Sequence, residues 1–151
     1  MPFGEVKAVG HGDLGLLRRF DGGAVTPAGF HKQVTGAVGA EVSYEAFFEM
    51  YNDIFSLNAP AVDVLARVKA AGHKTVLLSN TDPERFAFVR RRFPEVLFFD
   101  DYVLSYELKL LKPDPAIYLA AVRLAGVSPQ ECVFIDDMEE NIAGAVATGL
   151  A

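Results

Sequence analysis

Three short apolar runs set the terms on which this chain can fold. TVLLS (75–79), YVLS (102–105) and CVFID (132–136) each have the length of a buried strand, and helical apolar spacing fills the stretches around them. Short strands alternating with helices argue an α/β fold built on a parallel, doubly wound sheet. The intervening helices carry their own end signals. AVDVLARVKAAG closes at Gly72, while DPERFAFVRRRF and DPAIYLAAVRLAG both open on Asp-Pro, an acid able to cap followed by a proline suited to the first turn. SPQE (128–131) has capping-box spacing just ahead of the third strand, and MEENIAGAVATG reads as the helix after it.

The chain before Pro60 has a different character. Phe30, Val34 and Val38 share one helical face, as do Phe47, Tyr51, Ile54 and Phe55, with Thr26-Pro27 and Ser43 as helix starts. The expected organisation is a helical region over 1–59 and an α/β core over 60–151. With 151 residues, 51% of them apolar, the chain can bury a real core. A net charge of −6 argues against nucleic acid or an anionic membrane as partner. The one basic run, Arg90 to Arg92, reads as a solvated helix C-terminus. Cys132 is the single cysteine, which excludes an internal disulfide, and it reads as a small buried hydrophobe. No apolar run approaches the roughly 20 residues of a membrane span, and MPFGEVKAVG lacks the regions of a signal peptide, so a cytoplasmic protein is expected. His11, His31 and His73 have no ligand spacing, which makes a zinc site improbable.

In doubly wound sheets the ligand sits outside the carboxyl ends of the strands, so the residues leaving each strand are the ones to inspect. TVLLS runs out into Ser79-Asn80-Thr81 at a helix N-terminus, a natural seat for a phosphate. CVFID runs out into Asp136-Asp137, hard oxygen ligands of the kind Mg²⁺ takes. Two like charges at one rim are costly unless a cation balances them. Lys112, in KLLKPDP just before a helix, is placed to do so and to hold a phosphoryl oxygen.

Taken together, Ser79 in LLSNTD, Lys112 in LKPDP and Asp136-Asp137 in VFIDDMEEN resemble the second, third and fourth motifs of the haloacid dehalogenase superfamily. The match covers about residues 60 to 150, and the helical region before it, RRFDGGAVTPAGFH in particular, looks like the family's small inserted cap. The resemblance implies a Rossmann-like core and Mg²⁺-dependent hydrolysis of a small phosphorylated metabolite. Ser79 and Asn80 would hold the phosphoryl group, Lys112 would neutralise charge in catalysis, and Asp136 would bind the metal with Asp137 in support. The doubled acid favours the phosphatase branch over the metal-free dehalogenases.

One part of the pattern is missing. The family's first motif is an apolar strand followed by Asp-x-Asp-Gly, and no Asp-x-Asp occurs anywhere in this sequence. VKAVGHGDLGLL (6–17) begins like that strand but offers only Asp13. Residues 1–25 therefore read as cap already, with the first strand upstream of Met1 or lost. ATGLA likewise stops where the family continues into a last strand. The expectation is an incomplete sheet, weak Mg²⁺ binding, a cradle without its attacking group, and little activity from the chain alone. Two apolar strand edges would be left open. Residues 5–10, direct pairing of the flanking strands, or another chain would close them, and self-association is a fair expectation. Two functional readings follow: a phosphatase whose sequence is cut short or rearranged, or a catalytically dead relative that binds a phosphorylated ligand or a protein. A phosphoacceptor receiver domain carries similar residues, but in another order.

Overall fold

The computed structural model describes residues 15–151; the readings placed on 1–14, including those of His11 and Asp13, lie outside the described residues. Three helices come first: α1 (Leu16–Asp21), α2 (Pro27–Val38) and α3 (Tyr44–Asn52). The caps are the expected ones. Thr26 Oγ1 accepts from the Gly29 N–H at 3.1 Å, and Ser43 Oγ from the Ala46 N–H at 3.3 Å. Their shared core is aromatic: Phe20, Phe30, Phe47 and Phe48 are buried together with Leu16, Val25 and Val34. Phe20 stacks on Phe30 with ring centroids 4.3 Å apart.

Ile54 and Phe55 do not extend that face. Helix α3 stops at Asn52, the Ile54 N–H turns back to the Asn52 carbonyl, and both apolar side chains are exposed. Once the helix ends, helical spacing no longer says which way a side chain points. Phe48, one position off the expected stripe, is buried instead.

The second half runs α4 (Ala59–Ala70), β1 (Val76–Ser79), α5 (Pro83–Arg92), β2 (Asp101–Leu104), α6 (Ser105–Leu108), α7 (Pro115–Ala125) and α8 (Glu139–Ala147), with 3₁₀ turns at Pro94–Phe98 and Pro129–Glu131. Both Asp-Pro starts behave as expected: Asp82 Oδ1 accepts from the Arg85 N–H, and Asp114 Oδ1 from the Ala116 N–H, each at 2.8 Å. Ser128 and Glu131 form the capping box. Arg90 to Arg92 occupy the last turn of α5, as the sequence suggested. Strands β1 and β2 pair in parallel, from Val76 opposite Asp101 to Ser79 opposite Leu104. Helix α7 packs on both strands, and Val103, Ile117, Tyr118, Val122, Ala145 and Leu150 form a second core beneath them. No helix among the described residues is long and apolar enough to cross a membrane.

The third apolar run departs from expectation. Residues 132–136 do not join the sheet, which has two strands among the described residues. They keep a strand's alternation: Cys132, Phe134 and Asp136 are half-buried, while Val133 and Ile135 are 78% and 79% exposed. The Phe134 N–H donates to the Ala151 carbonyl and the Ala151 N–H to the Cys132 carbonyl, both at 2.9 Å, the pattern of a parallel pair flanking Val133. Direct pairing of this run with β1 is not seen. A strand is defined by its neighbours, and the described residues place none on its other edge. Cys132 is consequently half-buried rather than buried, its Sγ 3.5 Å from the Ser128 carbonyl.

Candidate active site

Lys112 ties the two apolar runs together. Its side chain is buried, and Nζ donates to the Leu78 carbonyl at 3.2 Å and to Asp136 Oδ2 at 2.5 Å. The ammonium also lies 5.6 Å from the centre of the Phe134 ring. Residue 78 is the penultimate one of β1, so this single cation joins the end of that strand to the end of the 132–136 run.

Asn80 fixes where the lysine starts from. Its Oδ1 accepts from the Lys112 backbone N–H at 2.8 Å and its Nδ2 donates to the Lys112 carbonyl at 3.1 Å. Both atoms of the carboxamide are thus spent on one peptide unit. Ser79 lies between two residues bonded to Lys112, Leu78 through its carbonyl and Asn80 through its side chain. The loop beyond is anchored by Ser105, whose hydroxyl oxygen accepts from the Thr81 N–H at 2.8 Å.

Asp136 is held on both oxygens. Oδ2 takes the Lys112 ammonium, and Oδ1 accepts from the Met138 N–H and from Asn141 Nδ2, each at 2.9 Å. Burial by itself would raise its pKa, but the lysine bond, the Asn141 amide and the Met138 N–H outweigh that and hold it below the usual carboxylate value. Asp137 is exposed beside it. Both acids line an open groove of about 530 Å³ whose remaining wall is Glu139 and the apolar face of α8, including Ile142 and Val146.

Ser79, Asn80, Lys112, Asp136 and Asp137, singled out in the sequence, therefore fall at one rim. Asn141 did not stand out there, because an asparagine in a polar run after an acid pair looks like ordinary helix surface. It is buried in the folded chain, and its backbone carbonyl accepts from the Tyr118 hydroxyl at 2.8 Å, which fixes the first turn of α8 beneath Asp136.

The described residues hold no group of three or more His, Cys, Asp and Glu able to cage a metal ion. Mg²⁺ does not require one, since it commonly binds through one or two carboxylates with water and phosphate oxygens completing its shell. Asp137 is exposed and offers hard oxygens of the kind such an ion takes, while both Asp136 oxygens already accept hydrogen bonds, so Asp136 would share an oxygen between Lys112 and the ion.

A family model described as haloacid dehalogenase-like hydrolase matches residues 4–149. Phosphoglycolate phosphatase 1 of Pseudomonas aeruginosa is 29% identical over 146 residues, covering 94% of this chain and 52% of the relative. (S)-2-haloacid dehalogenase 1 of a Pseudomonas species is 35% identical over 89 residues, covering 59% of this chain and 39% of that one. The chain thus spans about half the length of the phosphatase it matches. Among solved structures, a HAD family enzyme of Bacteroides thetaiotaomicron in complex with magnesium and inorganic phosphate superposes with a TM-score of 0.83 at 28% identity, covering 98% of this chain and 81% of that one. The family model spans nearly the whole chain, and the chain belongs to the haloacid dehalogenase-like hydrolases.

Proposed function

We propose that this chain supplies the phosphoryl-holding and metal-holding rim of a Mg²⁺-dependent hydrolase of small phosphorylated metabolites. The observation that carries the reading is the Lys112 ammonium held between the end of β1, beside Ser79, and Asp136. A relative named as a phosphatase, and a structural neighbour described with magnesium and phosphate, support it.

In this reading the Ser79 hydroxyl and the Lys112 ammonium hold phosphoryl oxygens at the strand ends. Asn80 acts chiefly by fixing Lys112, because its carboxamide is already committed there. Asp136 and Asp137 would hold Mg²⁺, which when bound supplies positive charge to the phosphoryl oxygens. Asn141 keeps Asp136 ionised and oriented. Residues 1–59 serve as the cap over the rim, and the working compartment is the cytoplasm. Phosphoryl transfer by a covalent route also needs an attacking group. The sequence has no Asp-x-Asp, so the chain as given binds phosphate without turning it over. That same absence favours a second reading, a binding protein that uses this rim for a phosphorylated ligand.

Titration of the full chain with inorganic phosphate, with and without Mg²⁺, tests the rim by calorimetry. The expected result is Mg²⁺-dependent binding that Ser79→Ala weakens roughly tenfold, the loss of one hydrogen bond to a charged group at about 1.5 kcal/mol. Asp137→Asn should reduce the Mg²⁺ dependence. Phosphate binding indifferent to both substitutions would sink the assignment.

A further inference from the structure

Next along the chain from the rim, a second charged cluster sits where the aromatic helices meet the α/β half. Arg85, on α5, donates from Nη1 to Asp21 Oδ1 on α1 at 3.1 Å and from Nη2 to the Tyr51 hydroxyl on α3 at 2.5 Å, and its guanidinium carbon lies 5.2 Å from the Tyr51 ring centre. Asp82 Oδ2 is 3.6 Å from the same Nη1. These groups are deeply placed: Asp82 is fully buried, and the side chains of Asp21 and Arg85 are each 14% exposed. The cluster is also unbalanced, with two carboxylates facing one guanidinium. Asp82 Oδ2 and Arg85 Nε have no hydrogen-bond partner.

The other surroundings of Asp21 do not restore the balance. Helix α2 meets α1 through stacked Phe30 and Phe20, and its His31 is turned to the Val42 carbonyl. Helix α6 meets it through Ser105, whose hydroxyl reaches the Asp21 backbone carbonyl at 2.6 Å. Glu84, beside Arg85 on α5, is engaged by the Tyr44 hydroxyl at 2.7 Å.

We propose that Asp21, Tyr51, Asp82 and Arg85 form a proton-operated latch between the aromatic helices and the α/β half, closed when the carboxylate pair shares a proton and loosened when both acids are ionised. Asp82 Oδ1 caps the helix and its Oδ2 has no hydrogen-bond partner, while Asp21 Oδ1 accepts from Arg85 Nη1, so the proton belongs to the carboxylate pair as a unit and Asp21 is the member through which it is read. Burial is the largest influence on Asp21 and pushes its pKa up to about 6 despite the neighbouring Arg85, with Asp82 adding to the rise. Burial likewise raises Asp82. A carboxyl that binds its proton more tightly in the closed interface than in water favours closure below about pH 6 and loses it as pH rises through that value. The latch is independent of whether the rim takes a phosphate ester.

Amide hydrogen exchange on the full chain, corrected for the intrinsic pH dependence of exchange, tests it. Between pH 5 and pH 7.5 the opening constant of α1–α3 should rise about tenfold, the ratio set by a carboxyl moving from about 6 when closed to its ordinary value when open. Amides of α7 should not follow, and Asp21→Asn should abolish the change. A similar response in α7, or an unaltered response in Asp21→Asn, overturns the proposal. Should that variant fail to fold, the carboxyl carbon resonance of Asp21 in the unaltered protein decides: a midpoint near 6 upholds the latch, and one below about 5 refutes it.

Discussion

Lys112→Met is expected to lower the free energy of unfolding by about 3–5 kcal/mol, the cost of removing one partner from a buried ion pair. The physical cause is what remains. Asp136 would keep the Met138 N–H and the Asn141 amide on Oδ1, but Oδ2 would face a buried position with no cation. Chemical denaturation at pH 7 measures the loss. A second comparison separates charge from packing: Lys112→Met combined with Asp136→Asn should recover a large part of the stability, because no charge is then stranded. The pH dependence has a definite sign. Asp136 is held below its ordinary pKa, so its contribution is present above the unfolded value near 3.8 and is lost as pH falls below it. The unaltered protein should lose this stability on acidification, and the double variant should not. A single substitution costing under about 1 kcal/mol would mean that the pair is solvated and that Lys112 is not the tie between the two apolar runs.

Phe20→Ala should be as damaging, at about 3–5 kcal/mol. Phe20 is fully buried, stacked on Phe30 and 6.1 Å from the Phe48 ring, and it comes from a helix of only six residues. So short a helix has little stability of its own and stays folded because its apolar face is buried. Truncation would leave a cavity between the Phe30 and Phe48 rings of two other helices and weaken the docking of α1, which carries Asp21. Thermal unfolding together with the exchange protection of α1 and α3 measures it. Loss confined to α1–α3, with α7 preserved, would show the aromatic cluster to be a separable unit; uniform loss would show one cooperative core.

What could be read in the sequence was whatever is encoded locally. The caps at Thr26, Ser43, Asp82 and Asp114, the capping box at Ser128 and Glu131, and strands β1 and β2 depend on a few consecutive residues, and the structure shows each of them. The rim was legible for a related reason: Ser79, Lys112 and Asp136 stand at the ends of such elements. The failures depend on distant partners. CVFID has the composition of a buried strand, yet Val133 and Ile135 are exposed, because burial requires neighbours that its own five residues cannot specify. Ile54 and Phe55 looked helical until the chain turned at Asn52. Arg85 and Asp21 are 64 positions apart and on different elements, and nothing near either residue announces the other. Asn141 is of the same kind, ordinary in its own helix and significant only beneath Asp136.

In the function proposed here, this chain carries a phosphate and metal rim without an Asp-x-Asp attacking carboxylate to use it. Incubation of the full chain with Mg²⁺ and a generic aryl phosphate tests that most directly. Hydrolysis should be indistinguishable from a protein-free blank; turnover well above the blank and abolished by Asp136→Asn would overturn the proposed function and direct attention to Asp13 as a working nucleophile.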